Sequence, residues 1–116
     1  MIASEERTVL DALFGPGVEE WVEGGRRLII LPTVTLPKGC APAAAFGIYV
    51  ASQYGGYESR LFLDCHVRLA SGATPSMTRD VLCGRTMYSA SWNGVPASLP
   101  PHQAVLAHLR RYEAAA

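Results

Sequence analysis

Nowhere does this chain of 116 residues carry an apolar run near the roughly 18 residues that a membrane-crossing helix needs, and its opening holds Glu5 and Glu6 instead of a basic cluster. The expectation is a soluble, cytoplasmic protein with no membrane partner. Charge of one sign is equally scarce: ten basic and ten acidic residues cancel, and neither sign runs longer than a pair. Tracking phosphates calls for a basic stripe, so nucleic acid is not expected as the main partner. Cysteine is sparse, with three residues and no C-x-x-C pair, which fits neither a disulfide framework nor a zinc ribbon. The thiols are expected to be reduced. Internal repeats, low-complexity tracts and an interdomain linker are also missing.

What is present is a folding composition. Hydrophobic residues make up 49% and charged ones only 17%, too apolar for a disordered tail, and the length suits one core, so residues 1–116 form a single domain. Ser4 stands where an N-cap belongs, ahead of Glu5 and Glu6, whose carboxylates suit the positive end of a helix. Val9, Leu10, Leu13 and Phe14 supply the apolar face of that helix, and GPG at 15–17 stops it. Residues 18–23 read equally as a helical turn or a strand, with Trp21 half-buried.

Three strand signals follow, at 26–36, 44–52 and 59–69, each bounded by Gly, Pro or Ser clusters. They predict an antiparallel meander of three to four strands. In the third, Leu61, Leu63, Cys65 and Val67 alternate with Phe62, Asp64, His66 and Arg68, so one face is expected to pack on a helix and the other to be mostly polar. From 70 to 100 periodicity vanishes and a long loop is expected, far beyond the usual connection of about 4–6 residues. Pro100 and Pro101 then open a helix with Val105, Leu106, Leu109 and Tyr112 on one stripe. His102 and His108 on that helix lack the i, i+4 spacing of paired ligands, so no metal site is expected.

The loop segment DVLCGRTMYSASWNG concentrates the chemistry. Cys83 sits between Gly84, Arg85 and the upstream Arg79, and neighbouring cations favour a thiolate. Cys40 and Cys65 read instead as small packed residues. Trp92 offers a large ring to anchor the loop. Tyr54 and Tyr57, around two glycines, form a hairpin connection that presents aromatics or packs them on the sheet.

The order helix, meander, loop cysteine and helix, together with LIILP, LPKG, RLFLD, Cys83 and Trp92, resembles the ubiquitin-conjugating (E2) superfamily, specifically its short prokaryotic branch. The resemblance spans roughly Trp21 to Tyr112 and implies an α+β, E2/UBC-like fold: N-terminal helix, antiparallel meander, long active-site loop and C-terminal helix. It also implies that Cys83 accepts a ubiquitin-like protein as a thioester from an E1-like adenylating enzyme and passes it to an amine. No cofactor is expected on this chain, because the E1-like partner consumes the ATP. Bacterial settings of such proteins include antiphage defence, often beside a JAB-type isopeptidase.

One departure from the family pattern stands out. Most members carry His-Pro-Asn ahead of the cysteine, and here the nearest candidate is His66, followed by Val67 and Arg68. The substitutes for the missing asparagine are His66, a backbone amide or Asn93. Two other readings therefore stand beside the carrier: a catalytically inactive E2-like interaction module, and a cysteine hydrolase with His66 as general base.

Overall fold

The computed structural model describes residues 2–90 and 94–114. Helix α1 (Ser4–Phe14) leads into strands β1 (Glu19–Glu23), β2 (Arg26–Thr35), β3 (Ala44–Val50), β4 (Arg60–Leu63), β5 (Met77–Leu82) and β6 (Arg85–Ala90), and helix α2 (Pro101–Ala114) follows. The strands form one antiparallel sheet in the order β1-β2-β3-β4-β6-β5. The α+β class, with a helix at each end of an antiparallel sheet, is as expected, but six strands replace the three to four of the sequence reading.

The two extra strands at the far edge come from the expected long loop, which is largely a β-hairpin. MTRDVL pairs in full register with RTMYSA across Cys83 and Gly84. The third expected strand is correspondingly shorter, because pairing with β3 ends at Leu63 and Cys65 lies beyond it in an irregular turn. Residues 19–23 settle as a strand, and Trp21 is 50% exposed there, more open than expected.

One face of the sheet carries the main core. Ile29, Leu31, Tyr49, Leu61 and Leu63 meet Leu10 and Phe14 of α1 and Ala104, Val105, Leu109 and Tyr112 of α2. Val9 and Leu13 stay substantially exposed, so only half of the expected α1 face packs. Pro32 has no N–H to give to the ladder, and the β2–β3 register slips between Leu31 and Val34. Gly47 opposes this irregularity, where a Cβ would approach Val34 Cγ2 to 2.8 Å, so a larger residue would push the strands apart.

The second face is not polar. Leu28, Ile48, Val50, Phe62, Leu82 and Met87 are all buried there, joined by the partly buried Ile30, Phe46, Tyr54 and Cys83. Their strands are apolar on both sides, which is why β2 and β3 read as nearly continuous hydrophobic runs. The β5–β6 hairpin contributes Leu82 and Met87 to this cluster, and the coil of the sheet brings its turn to the end of β1. Burying one such side chain is worth about 1.5–3 kcal/mol, so this face contributes to stability residue for residue as the first does.

Glu6 joins the two helices. Ala3, and not Ser4, occupies the α1 cap position, without a side-chain bond, and Ser4 instead accepts a hydrogen bond from the Thr8 hydroxyl on its carbonyl at 3.0 Å. The Glu6 carboxylate crosses to α2, accepts the His102 backbone N–H at 2.7 Å and lies 2.7 Å from His102 Nδ1. A carboxylate at that end meets the positive pole of α2, so the acidic first turn of one helix caps the other.

Candidate functional site

Two residues, Cys83 and Gly84, turn the chain between β5 and β6 with φ of +52° and +75°. Positive φ at both central positions is the signature of a type I′ turn, which favours Asn-Gly because an ordinary side chain is strained there. Cys83 is the one non-glycine residue with positive φ among the described residues. A left-handed residue with a Cβ costs about 1–2 kcal/mol. Such a cost at a surface turn directs attention to what the side chain does.

The surroundings of Cys83 come from the opposite edge of the sheet. Its backbone N–H donates to Glu23 Oε2 at 3.0 Å and to Oε1 at 3.3 Å. Beside it lies a cavity of about 250 Å³ lined by Glu19, Trp21, Ile30, Phe46, Cys83 and Arg85. The Arg85 guanidinium stacks 4.1 Å over the Phe46 ring, an arrangement in which the ring face attracts the cation.

Partial burial, then the charge and hydrogen bond of Glu23, push the Cys83 thiol above its ordinary pKa, and the attraction of Arg85 is too weak to reverse this. The expectation of a thiolate held by Arg79 and Arg85 thus gives way to a thiol pushed up by partial burial and by a carboxylate from a distant strand. Arg79 pairs with Tyr88 across the hairpin, well up the strand from the turn. The resting side chain is a thiol.

His66 lies elsewhere. Its ring packs 4.2 Å from that of Tyr88, three residues and about 10 Å up β6 from Arg85. Among the described residues His66 partners Tyr88 and Cys83 partners Glu23, so the structure does not bring the two together as base and nucleophile. Trp92 and Asn93 lie outside the described residues. Cys40 is buried in the main core, while Cys65 is partly exposed beside Asp64, and burial and that carboxylate push its thiol up.

Tyr54 and Tyr57 exchange backbone hydrogen bonds at 2.8 and 3.0 Å around their glycine turn. Arg60 stacks 4.6 Å from the Tyr57 ring and 5.5 Å from Tyr54, so these aromatics pack on a buried cation instead of being presented outward. That guanidinium donates to Ser89 Oγ at 3.1 Å and to the Ser89 carbonyl at 3.0 Å.

A second polar pair superficially resembles a nucleophile and its base. Ser59 Oγ lies 3.0 Å from His108 Nε2, but its single proton goes to the Val95 carbonyl at 2.7 Å. Nε2 must therefore donate to Ser59, the reverse of base catalysis. Both residues are buried, and burial, followed by repulsion from Arg111 and Arg60, lowers the His108 pKa to about 4. This pair is structural.

Glu23 is the contributor that sequence reasoning missed. The hairpin itself carried a signal, two strand-like runs separated by Cys-Gly, but nothing in sequence ties Glu23 to a turn sixty residues away. Among the described residues no group of three or more His, Cys, Asp or Glu is arranged to hold a metal, and no helix is long and apolar enough to cross a membrane. Comparison with protein-family models, with curated proteins and with solved structures returns no match to this chain.

Proposed function

We propose that this chain is an E2-like carrier in which Cys83 takes a ubiquitin-like protein from an E1-like enzyme and delivers it to an amine. The observation that carries the reading is a cysteine placed in the strained left-handed position of a hairpin turn, beside an open cavity. The helix–sheet–helix order supports it. In the charging step Cys83 Sγ attacks the thioester carbonyl on the E1-like enzyme, the old C–S bond breaks, and the proton lost by Cys83 ends on the departing E1 thiol. In delivery an amine attacks the new thioester, an amide forms, and the Cys83 sulfur leaves and takes up the amine proton.

The test is reconstitution with the E1-like partner, the ubiquitin-like protein and ATP. A reductant-sensitive adduct that disappears in Cys83→Ala is expected, and an adduct that persists in that variant would sink the assignment. A second reading, an inactive E2-like docking module, is favoured by one observation: partial burial and then the Glu23 carboxylate push the Cys83 thiol up, away from the thiolate. It predicts binding of the ubiquitin-like protein with no adduct.

A further inference from the structure

The contact between Glu23 and Cys83 joins the two ends of the sheet order: β1 is one edge strand, and the β5–β6 hairpin forms the other. One side chain performs two tasks there. Its oxygens accept the amide of a left-handed residue, which fixes the turn, and its negative charge faces the sulfur of that same residue. The remaining charged groups at the adjoining cavity are Glu19 and Arg85, and Arg85 is engaged with Phe46. Glu19 accepts the Trp21 indole N–H at 2.9 Å, so it too is occupied by its own strand.

We infer that Glu23 is a positioning residue and autoinhibitory latch of the Cys83 site, tying the hairpin to β1 and setting its carboxylate against the reactive residue until it is drawn away. The inference rests on the reading of Cys83 as the working thiol. Glu23 is exposed at the end of β1, so a cation on a docking protein reaches it without any rearrangement of the core. Withdrawing the negative charge leaves burial alone to raise the thiol and Arg85 to oppose it, so the bias toward the thiol weakens.

Two variants separate the two tasks. Glu23→Gln keeps an oxygen for the Cys83 amide and removes the charge, whereas Glu23→Ala removes both. Iodoacetamide labelling of the full chain, resolved by peptide mass across the neutral to alkaline range, reads the sulfur, and amide deuterium exchange reads the turn. In Glu23→Gln, Cys83 should label about three to ten times faster at neutral pH, with its pH profile displaced downward, since each pKa unit changes the thiolate fraction about tenfold. Turn exchange should stay near wild type in Glu23→Gln and quicken in Glu23→Ala. Continued protection of the buried Cys40 certifies that each variant is folded.

Unchanged Cys83 labelling in both folded variants would overturn the latch. Faster labelling in Glu23→Gln without any thioester in reconstitution would uphold the latch and remove the carrier reading. A thioester that forms while Glu23→Gln leaves labelling unchanged would remove the latch alone.

Discussion

The two faces of the sheet are buried by different means. One is covered by α1 and α2, whose apolar residues interlock with β2, β3 and β4, and the Glu6 carboxylate binds the helices to each other. The other is covered by the sheet's own coil, with the β5–β6 hairpin held at its tip by Glu23. Helical cover is tied at many points along two long elements. Strand cover depends on one hairpin with an exposed outer edge, where Val81 is 58% exposed. Local opening follows the element with fewest ties, so the face carrying Cys83 is the one expected to open without global unfolding.

Truncating one phenylalanine on each face probes this contrast most severely. Phe14→Ala under the helices and Phe62→Ala under the hairpin should each cost about 3–5 kcal/mol in urea unfolding, because both rings are buried. A loss below about 1 kcal/mol for Phe62→Ala, at the level of a surface substitution, would show that the second face is not a core.

Acid should act on the helical face. The unfolded chain binds a proton at His108 near pH 6.5 and the folded one only near about 4, so between those values the unfolded state holds more protons. Stability should therefore fall as pH drops from 6.5 to about 4 and level off below, a loss of about 3 kcal/mol at most from this group. His108→Gln should flatten that part of the stability profile in chemical denaturation. An equally steep slope in the variant would place the dependence elsewhere.

A smaller effect belongs to the clamp between the helices. Glu6→Ala removes the acceptor at the start of α2 and should cost about 1–2 kcal/mol, with faster amide exchange in the first turn of α2 and little change in the β5–β6 hairpin. Exchange rising equally in both regions would mean that the two faces are not independent.

The smallest expected change has the opposite sign. Asn tolerates the left-handed conformation that Cys83 adopts, so Cys83→Asn should raise stability by about 0.5–1 kcal/mol while abolishing any thioester. Thermal unfolding of the variant beside wild type measures this, and a fall in stability would show that the thiol's packing outweighs the strain at φ +52°.

The parts of the fold legible in sequence are those where a period and its punctuation coincide. β2, β3 and α2 fall within a few residues of expectation, because long apolar runs or a clear stripe end at Gly, Ser or Pro. The hairpin was hidden because β5 is an edge strand of MTRDVL in which only Leu82 is fully buried, so no apolar alternation marks it. β4 was overextended because alternation continues through Cys65 and Val67 after the ladder has stopped. At the candidate site, Cys83 was visible by residue type and neighbours. Its electrostatics were not, since local sequence offers two arginines and the coil of the sheet supplies a glutamate.

Ser59 and Arg60 are consecutive residues, yet they hold different pieces of chain. The serine hydroxyl fixes the Val95 carbonyl, and the guanidinium fixes the carbonyls of Ser89 and Ala90. A single peptide unit at the start of β4 thereby acts as a hasp on the end of β6 and on the segment that leads into α2. Loosening this one corner would therefore free the end of β6 and the approach to α2 together, although the two are joined to it by different side chains.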